Sequence, residues 1–314
     1  MTASSFLADL DTCIFSVPSA TTPNDKQSLL RIQRIVSSMI PNFVYLEIGS
    51  DQGGSLVPIL ADENCSTLIS IDLRPDHQPD ERGASFPYPS NGEEAMMANL
   101  RSEFRAEQLS RLRIFRADIR DVEPRDLPKV DLVLIDGEHT DVACFSDAER
   151  TLDFVKQDAV IVFHDSNLVA DAIQNFEKML TRLGIEYTTV LLPDVVGAIA
   201  IGSFADIVRA ELGDRSLPRE PYFKSSQMQR WIAVGQSMQE RGLVTKPASD
   251  ASREITELRA EINRVNEISS RKEIEMHKLR EELTLSRLRI VDLMNSTSWR
   301  VSAPIRFIRR MIGR

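Results

Sequence analysis

Two short stretches bring together the residue types that polar chemistry needs: Ile135-Asp136-Gly137-Glu138-His139 and Phe163-His164-Asp165. Each closes an apolar run, 130–135 and 159–163, that reads as a buried strand. If these strands are neighbours, their ends lie about 4.8 Å apart. Two carboxylates that close repel unless one is protonated or a cation bridges them. A hard divalent ion such as Mg2+ would take the oxygens of Asp136 and Asp165. His164 would add a nitrogen ligand and tilt the choice towards Mn2+. His139 stands three residues past Asp136, and an imidazole can take a proton from a hydroxyl near neutral pH. The plainer alternative makes Asp165 a helix cap and the histidines structural.

A second constellation lies upstream, in Phe43-Val44-Tyr45-Leu46-Glu47-Ile48-Gly49-Ser50-Asp51-Gln52-Gly53-Gly54-Ser55. It reads as a strand ending in an acid, then a glycine turn, then a helix start. Gly49 and Gly53 permit a tight turn and close approach to a ligand, and the first N–H groups of the helix would face it. It is not a dinucleotide fingerprint, because Asp51 stands where the second glycine of G-x-G-x-x-G belongs. Glu47 would repel a pyrophosphate. A ligand with a cationic amine, a sulfonium and no phosphate suits the turn better, which describes S-adenosylmethionine. Asp72 ends the next strand, where an acid can accept from both ribose hydroxyls of a nucleoside. Glu47, Asp72, Asp118, Asp136 and Asp165 thus all fall at or just past predicted strand ends, where open α/β sheets bind ligands.

The elements that must position these residues alternate along the chain. Apolar periodicity predicts a helix over 26–40, then strand 43–48, a helix from Gly53 to about 62, and strand 67–72. Residues 73–92 hold Pro75, Pro79, Pro87 and Pro89, too many for a helix or an interior strand, and read as a long loop over the ligand edge. A helix at 93–108, strand 113–116, strand 130–135, helix 141–156, strand 159–163 and helix 168–183 follow. Strands 186–192 and 197–202 form a final hairpin through Pro193-Asp194. The fold class is α/β: a doubly wound, seven-stranded, mostly parallel sheet with one antiparallel strand near its edge, followed by a long coiled-coil helix.

The pair Ile135-Asp136-Gly137-Glu138-His139 and Phe163-His164-Asp165, with the Glu47-x-Gly49-x-x-x-Gly53 turn, resembles the motifs of small bacterial class I methyltransferases. These are similar to the macrolide-sugar and rhamnosyl O-methyltransferases. The resemblance covers roughly residues 26–203. It implies S-adenosylmethionine, Mg2+ or Mn2+, and an O-methyl acceptor that is a glycan or a small molecule. By matched position it makes Asp136 and Asp165 metal ligands and His139 the general base. It places Glu47, Gly49, Ser50, Gly53 and Asp72 at the methyl donor, and Asp118 at its adenine amino group, a place that Asp121 or Asp126 nearby could fill equally well. His164 stands where macrolide-sugar enzymes carry an acid, and Ser166 where catechol O-methyltransferase, which the chain resembles more distantly, has an asparagine ligand.

The chain has 314 residues and a net charge of −9, which argues against general nucleic-acid binding. Cys13, Cys65 and Cys144 are scattered and form no metal motif, as expected of reduced thiols in a cytoplasmic protein. No uncharged apolar run reaches the ~18 residues of a bilayer span. The domain plan is a lead-in over 1–25, a catalytic domain over 26–205, a helical extension and linker over 206–248, a coiled coil over 249–294 and a tail over 295–314. Ile255, Ile262, Met276, Leu283 and Ile290 form one heptad column, and Leu258, Val265, Leu279 and Leu293 a second, which predicts self-association through 255–293. The tail 296–314 mixes five arginines with Trp299, Ile305, Phe307, Ile308, Met311 and Ile312 and holds no acid. That composition suits an anionic membrane surface, at the inner face of the plasma membrane, or a protein partner. Its Ser-x-Ser-Trp-Arg-x-Ser-Ala-Pro-Ile-Arg run is similar to the tails of bacterial surface-polysaccharide glycosyltransferases, which implies a polysaccharide acceptor or assembly partner.

Overall fold

A computed structural model of the chain describes residues 3–83, 85–88 and 92–242, together with Ala260 and Arg264. The chain divides into two units, Met1–Ile262 and Asn263–Arg314, and every element below belongs to the first. The heptad segment 255–293, apart from Ala260 and Arg264, and the tail 296–314 lie outside the described residues.

The lead-in forms helix α1 (Ala3–Asp9), and α2 (Pro23–Met39) follows. The start of α2 is built from a capping box. Thr22 Oγ1 accepts from Asp25 N at 3.1 Å, and Asp25 Oδ2 accepts from Thr22 N at 3.1 Å, with Pro23 at the first helical position. Strand β1 (Phe43–Ile48), helix α3 (Leu56–Ala61) and strand β2 (Cys65–Ile71) come next. A hairpin, β3 (His77–Pro79) and β4 (Ser85–Pro87), leads to helices α4 (Glu93–Glu103) and α5 (Ala106–Leu109) and strand β5 (Leu112–Phe115). Strand β6 (Val130–Ile135), helix α6 (Asp141–Thr151), strand β7 (Val155–Phe163) and helix α7 (Ala170–Leu183) follow. Strands β8 (Tyr187–Leu191) and β9 (Gly197–Ile201) precede α8 (Phe204–Leu212) and α9 (Arg219–Glu240).

Seven strands form one sheet in the order β5-β2-β1-β6-β7-β9-β8. All pairs are parallel except those of β9 with β7 and β8. Strands β1 and β6 are buried along their whole length, as central parallel strands covered on both faces must be. On one face Phe43, Tyr45, Leu132, Leu134, Val160 and Val162 pack with Val36, Leu56, Leu60, Phe204 and Val208 of α2, α3 and α8. On the other, Phe163 meets Phe176 of α7 edge to face at 6.0 Å. The expected sheet, doubly wound with a terminal antiparallel hairpin, is present. The order reverses between β1 and β6, which puts the strand tips carrying Gly49 and Asp136 side by side at the crevice.

Three local expectations are corrected. The proline-rich stretch is not all loop, because Pro79 and Pro87 sit at the ends of a two-stranded ladder where a missing N–H costs no interior pairing. The helix expected over 93–108 breaks at Phe104, which turns extended and leaves α5 as a separate turn. The helix after His139 stops at Thr151, and buried Phe154 and Val155 already join the sheet, so β7 starts earlier than its apolar run suggests. Among the described residues, no helix is long and apolar enough to cross a membrane.

Candidate active site

The tips of β6 and β7 bring four polar side chains into one cluster. Register pairs Ile135 with Phe163, so Asp136 and His164 leave the sheet side by side. His164 Nδ1 lies 3.1 Å from Asp136 Oδ1 and 3.3 Å from Asp165 Oδ2. His139 Nε2 lies 3.4 Å from Asp136 Oδ1 and 3.2 Å from Asp165 Oδ2. The two carboxylates are bracketed by imidazoles on both sides. Asp165 adopts a left-handed backbone (φ 48°), an uncommon state for a non-glycine residue that recurs at functional sites.

The charges in this cluster support one another. Burial would raise the Asp136 pKa, but His164 and His139 outweigh it and hold the carboxyl well below its usual range. Burial likewise opposes charge on His139, yet the Asp136 hydrogen bond and the Asp165 charge raise its pKa. The same opposition raises His164 well above its ordinary value. His164 is 7% exposed, and neither of its ring nitrogens has a hydrogen bond of good geometry. Behind it stands Asp25, fully buried, with Oδ2 at 3.8 Å from His164 Nε2. Ligand atoms of Asp136, His139 and Asp165 lie within 4.8 Å of one another. That donor set, two carboxylate oxygens and an imidazole nitrogen with the orphaned His164 ring alongside, fits a divalent cation. His139, expected as a base, thus also lies within reach of such a cation.

The glycine turn lies against this cluster. Gly49 has φ +83°, and a Cβ there would fall 2.1 Å from the Asp136 carbonyl oxygen. The glycine is required because two strand tips meet, not only because a ligand approaches. Gly53 (φ +87°) faces the Met96 side chain, where a Cβ would come within 2.9 Å, so its role is packing of α4. Ser50 shares a hydrogen bond with Ser70 Oγ at 2.7 Å and donates its backbone N–H to Asp72 Oδ2 at 2.9 Å.

Several expected donor-binding acids are already engaged. Glu47 lies behind the turn and is fully buried, accepting from Tyr45 OH at 2.5 Å and Ser55 Oγ at 2.6 Å. Burial raises its pKa to about 7 despite those donors. It lines neither of the cavities described next. Asp72 accepts from the N–H groups of Ser50, Asp51 and Arg74 and so braces the turn. A carboxylate has roughly four acceptor positions, which leaves about one for a ribose hydroxyl. Asp118 is held by Arg120, whose N and Nε both donate at 2.8 Å and lower the carboxyl pKa.

Two cavities meet at Gly49 and Asp72. The larger, about 480 Å3, lies over the tips of β1, β2 and β6 and is lined by Ile48, Ile71, Leu73, Ile119 and Val142 together with Asp118, Arg120, Glu138 and Asp147. The smaller, about 100 Å3, is lined by Asp136, His139, His164 and Asp165 on one side and by Ser19, Thr21, Gln52, Gln78 and Tyr88 on the other. Sequence reasoning missed Asp25, Tyr88 and the wall over 18–21. Only the Thr22-x-x-Asp25 capping signature hinted at them; it sets the start of α2, and Thr22 Oγ1 then donates to Asp194 at 2.5 Å, fastening the segment beside the β8–β9 turn.

Residues 46–166 match a protein-family model described as a methyltransferase domain. No curated protein matches the chain. Among solved structures, the O-methyltransferase from Bacillus cereus in complex with SAH aligns at 12% identity and a TM-score of 0.42, over 64% of this chain and 90% of that one. The O-methyltransferase NovP aligns at 12% identity and a TM-score of 0.45, over 58% and 82%. Cofactor-bound Rv0187 from MTB aligns at 16% identity and a TM-score of 0.42, over 63% and 88%.

Proposed function

We propose that this S-adenosylmethionine-dependent methyltransferase acts, with a divalent cation, on a sugar hydroxyl of a bacterial surface polysaccharide or its precursor. The observation that carries the reading is the meeting of Asp136, His139, His164 and Asp165 in the same small cavity that the glycine turn lines.

The larger cavity fits the methyl donor. Its volume lies in the ~300–1,000 Å3 range of small-molecule sites, and its lining mixes apolar Ile48, Ile71, Leu73 and Val142 with polar Asp72, Asp118 and Thr140. S-adenosylmethionine supplies an electrophilic methyl group when bound. Asp136 and Asp165, with His139 or His164, would hold the cation, which lowers the pKa of a neighbouring hydroxyl. His139 is suited to move the acceptor proton, since it reaches into the same cavity. Two nearby carboxylates raise its pKa, so neutralising them with a cation would favour its basic form. The turn and strand tips align the reactants, which supplies much of the acceleration.

Ser19, Thr21, Gln52 and Gln78, with Tyr88 in the same lining, support a polyhydroxylated acceptor. The tail sequence over 296–314 supports work at an anionic membrane surface beside a polysaccharide-assembly partner, and the heptad columns over 255–293 support a homo-oligomer. The test is methyl transfer to a panel of nucleotide sugars and lipid-linked glycans, with and without EDTA. His139→Ala and Asp136→Asn should each lose at least a hundredfold in rate. Wild-type rates in both variants would remove the assignment.

A further inference from the structure

Glu81, in the turn of the β3–β4 hairpin, is tied to the loop that carries His139 from two directions. Its N–H donates to the His139 carbonyl at 3.1 Å, beside a parallel bridge between Asp80 and His139. Its Oε1 accepts from the N–H of Asp141, the first residue of α6, at 2.7 Å. Its Oε2 meets Arg230 Nη2 at 2.7 Å. Arg230 projects from α9, and its Nη1 pairs with Asp141 and, at 3.2 Å, with Asp171 Oδ2 on α7. Gln227, just before it on α9, also donates to Asp171, at 2.8 Å. One guanidinium thus joins the hairpin, the start of α6 and the start of α7.

The pair is well placed to act at a distance. The Glu81 and Arg230 side chains are 22% and 15% exposed, so solvent screens them less than a surface pair. Neither residue lines the two cavities. The hairpin packs on α9, with the Gly83 position about 4 Å from Val234 and Ser237. The loop they brace, 137–140, is irregular.

We infer that Glu81 and Arg230 are positioning residues that keep the His139 imidazole in the Asp136–Asp165 cluster. The inference rests on the reading of that cluster as the reactive site. Glu81 fixes the carbonyl of His139 and the N–H two residues on, and Arg230 fixes Glu81. Outer partners of this kind set the orientation of a ligand and commonly change metal affinity 10–100-fold.

The test uses the full chain labelled with 15N-histidine, the ring signals being assigned with His139→Ala and His164→Ala. In Glu81→Ala and Arg230→Met the His139 ring signals should move towards those of a solvent-exposed imidazole, while the His164 signals stay in place. Glu81→Gln, which keeps an acceptor for Asp141, and Arg230→Lys should fall between these and wild type. They carry the test if the stronger variants do not fold. Calorimetry with Mn2+ alone should show at least a tenfold loss in Glu81→Ala and Arg230→Met. Unchanged His139 signals in folded variants, or equal movement of His139 and His164, would overturn the inference. Absence of Mn2+ binding in wild type would overturn the metal reading and leave the ring signals to decide positioning. Wild-type methyl transfer by His139→Ala would overturn the role of the cluster but not the bracing.

Discussion

Replacing Gly49 by alanine should damage both stability and the site, and the size of the effect can be worked from two contributions. The residue sits at φ +83°, where an L side chain costs roughly 1–2 kcal/mol. The new Cβ would also fall 2.1 Å from the Asp136 oxygen, 2.6 Å from its carbonyl carbon and 2.8 Å from Gly137 Cα. All three are backbone atoms, so no side chain can swing aside, and overpacking of this kind costs about 1–3 kcal/mol more. The sum is about 2–5 kcal/mol. Gly184 supplies the control, because it has φ +69° at the end of α7 with nothing within 4 Å of an added Cβ. Gly184→Ala should lose only the conformational part, about 1–2 kcal/mol. Urea denaturation with unchanged m-values would measure both. Gly49→Ala should also weaken S-adenosylhomocysteine binding, since the β6 tip, held to β1 by the Asp136 N–H to Ile48 O bond at 2.8 Å, must move. Equal losses in the two variants, within 0.5 kcal/mol, would refute the argument that the strand tips collide.

Glu47 predicts a pH effect. Its folded pKa of about 7 lies above the ordinary 4.5, so its contribution is fully present below pH 4.5 and is lost as pH rises through 7. The loss is up to about 3 kcal/mol at 1.36 kcal/mol per pH unit. Glu47→Gln should flatten denaturation midpoints between pH 5 and pH 8, and an unchanged slope would count against the burial argument. Asp72→Asn should cost about 1–3 kcal/mol, because the turn N–H groups of Ser50 and Asp51 lose a charged acceptor. If it weakens S-adenosylhomocysteine binding without any loss of midpoint, Asp72 is a ligand contact and not a brace.

Much of the architecture is legible because alternation of helix and strand periodicity is strong here. The strand 43–48 and the tips at Asp136 and Asp165 fall where their apolar runs end. What sequence pattern cannot reveal is how many acceptors a carboxylate has left once the chain has folded. Glu47, Asp72 and Asp118 stand at strand ends as expected, yet Tyr45, Ser55, three backbone N–H groups and Arg120 occupy them. Asp25 was equally hidden, since a capping residue and a second neighbour to His164 look identical in one dimension. Arg230 joins Glu81 across 149 residues, a separation that no local signal spans. The Phe104 break and the early start of β7 accompany packing of the Phe104 side chain on the core and burial of Phe154, a tertiary effect that overrides helical spacing.

The central claim is that a methyl donor and a cation meet at the tips of β1, β6 and β7. It is tested most directly by anomalous diffraction at the manganese edge from crystals grown with S-adenosylhomocysteine and Mn2+. The prediction is one strong peak between Asp136 and Asp165, with the thioether sulfur beside it and the adenosine over Leu73 and Val142. No peak there, or S-adenosylhomocysteine bound away from the Gly49 turn, would contradict it.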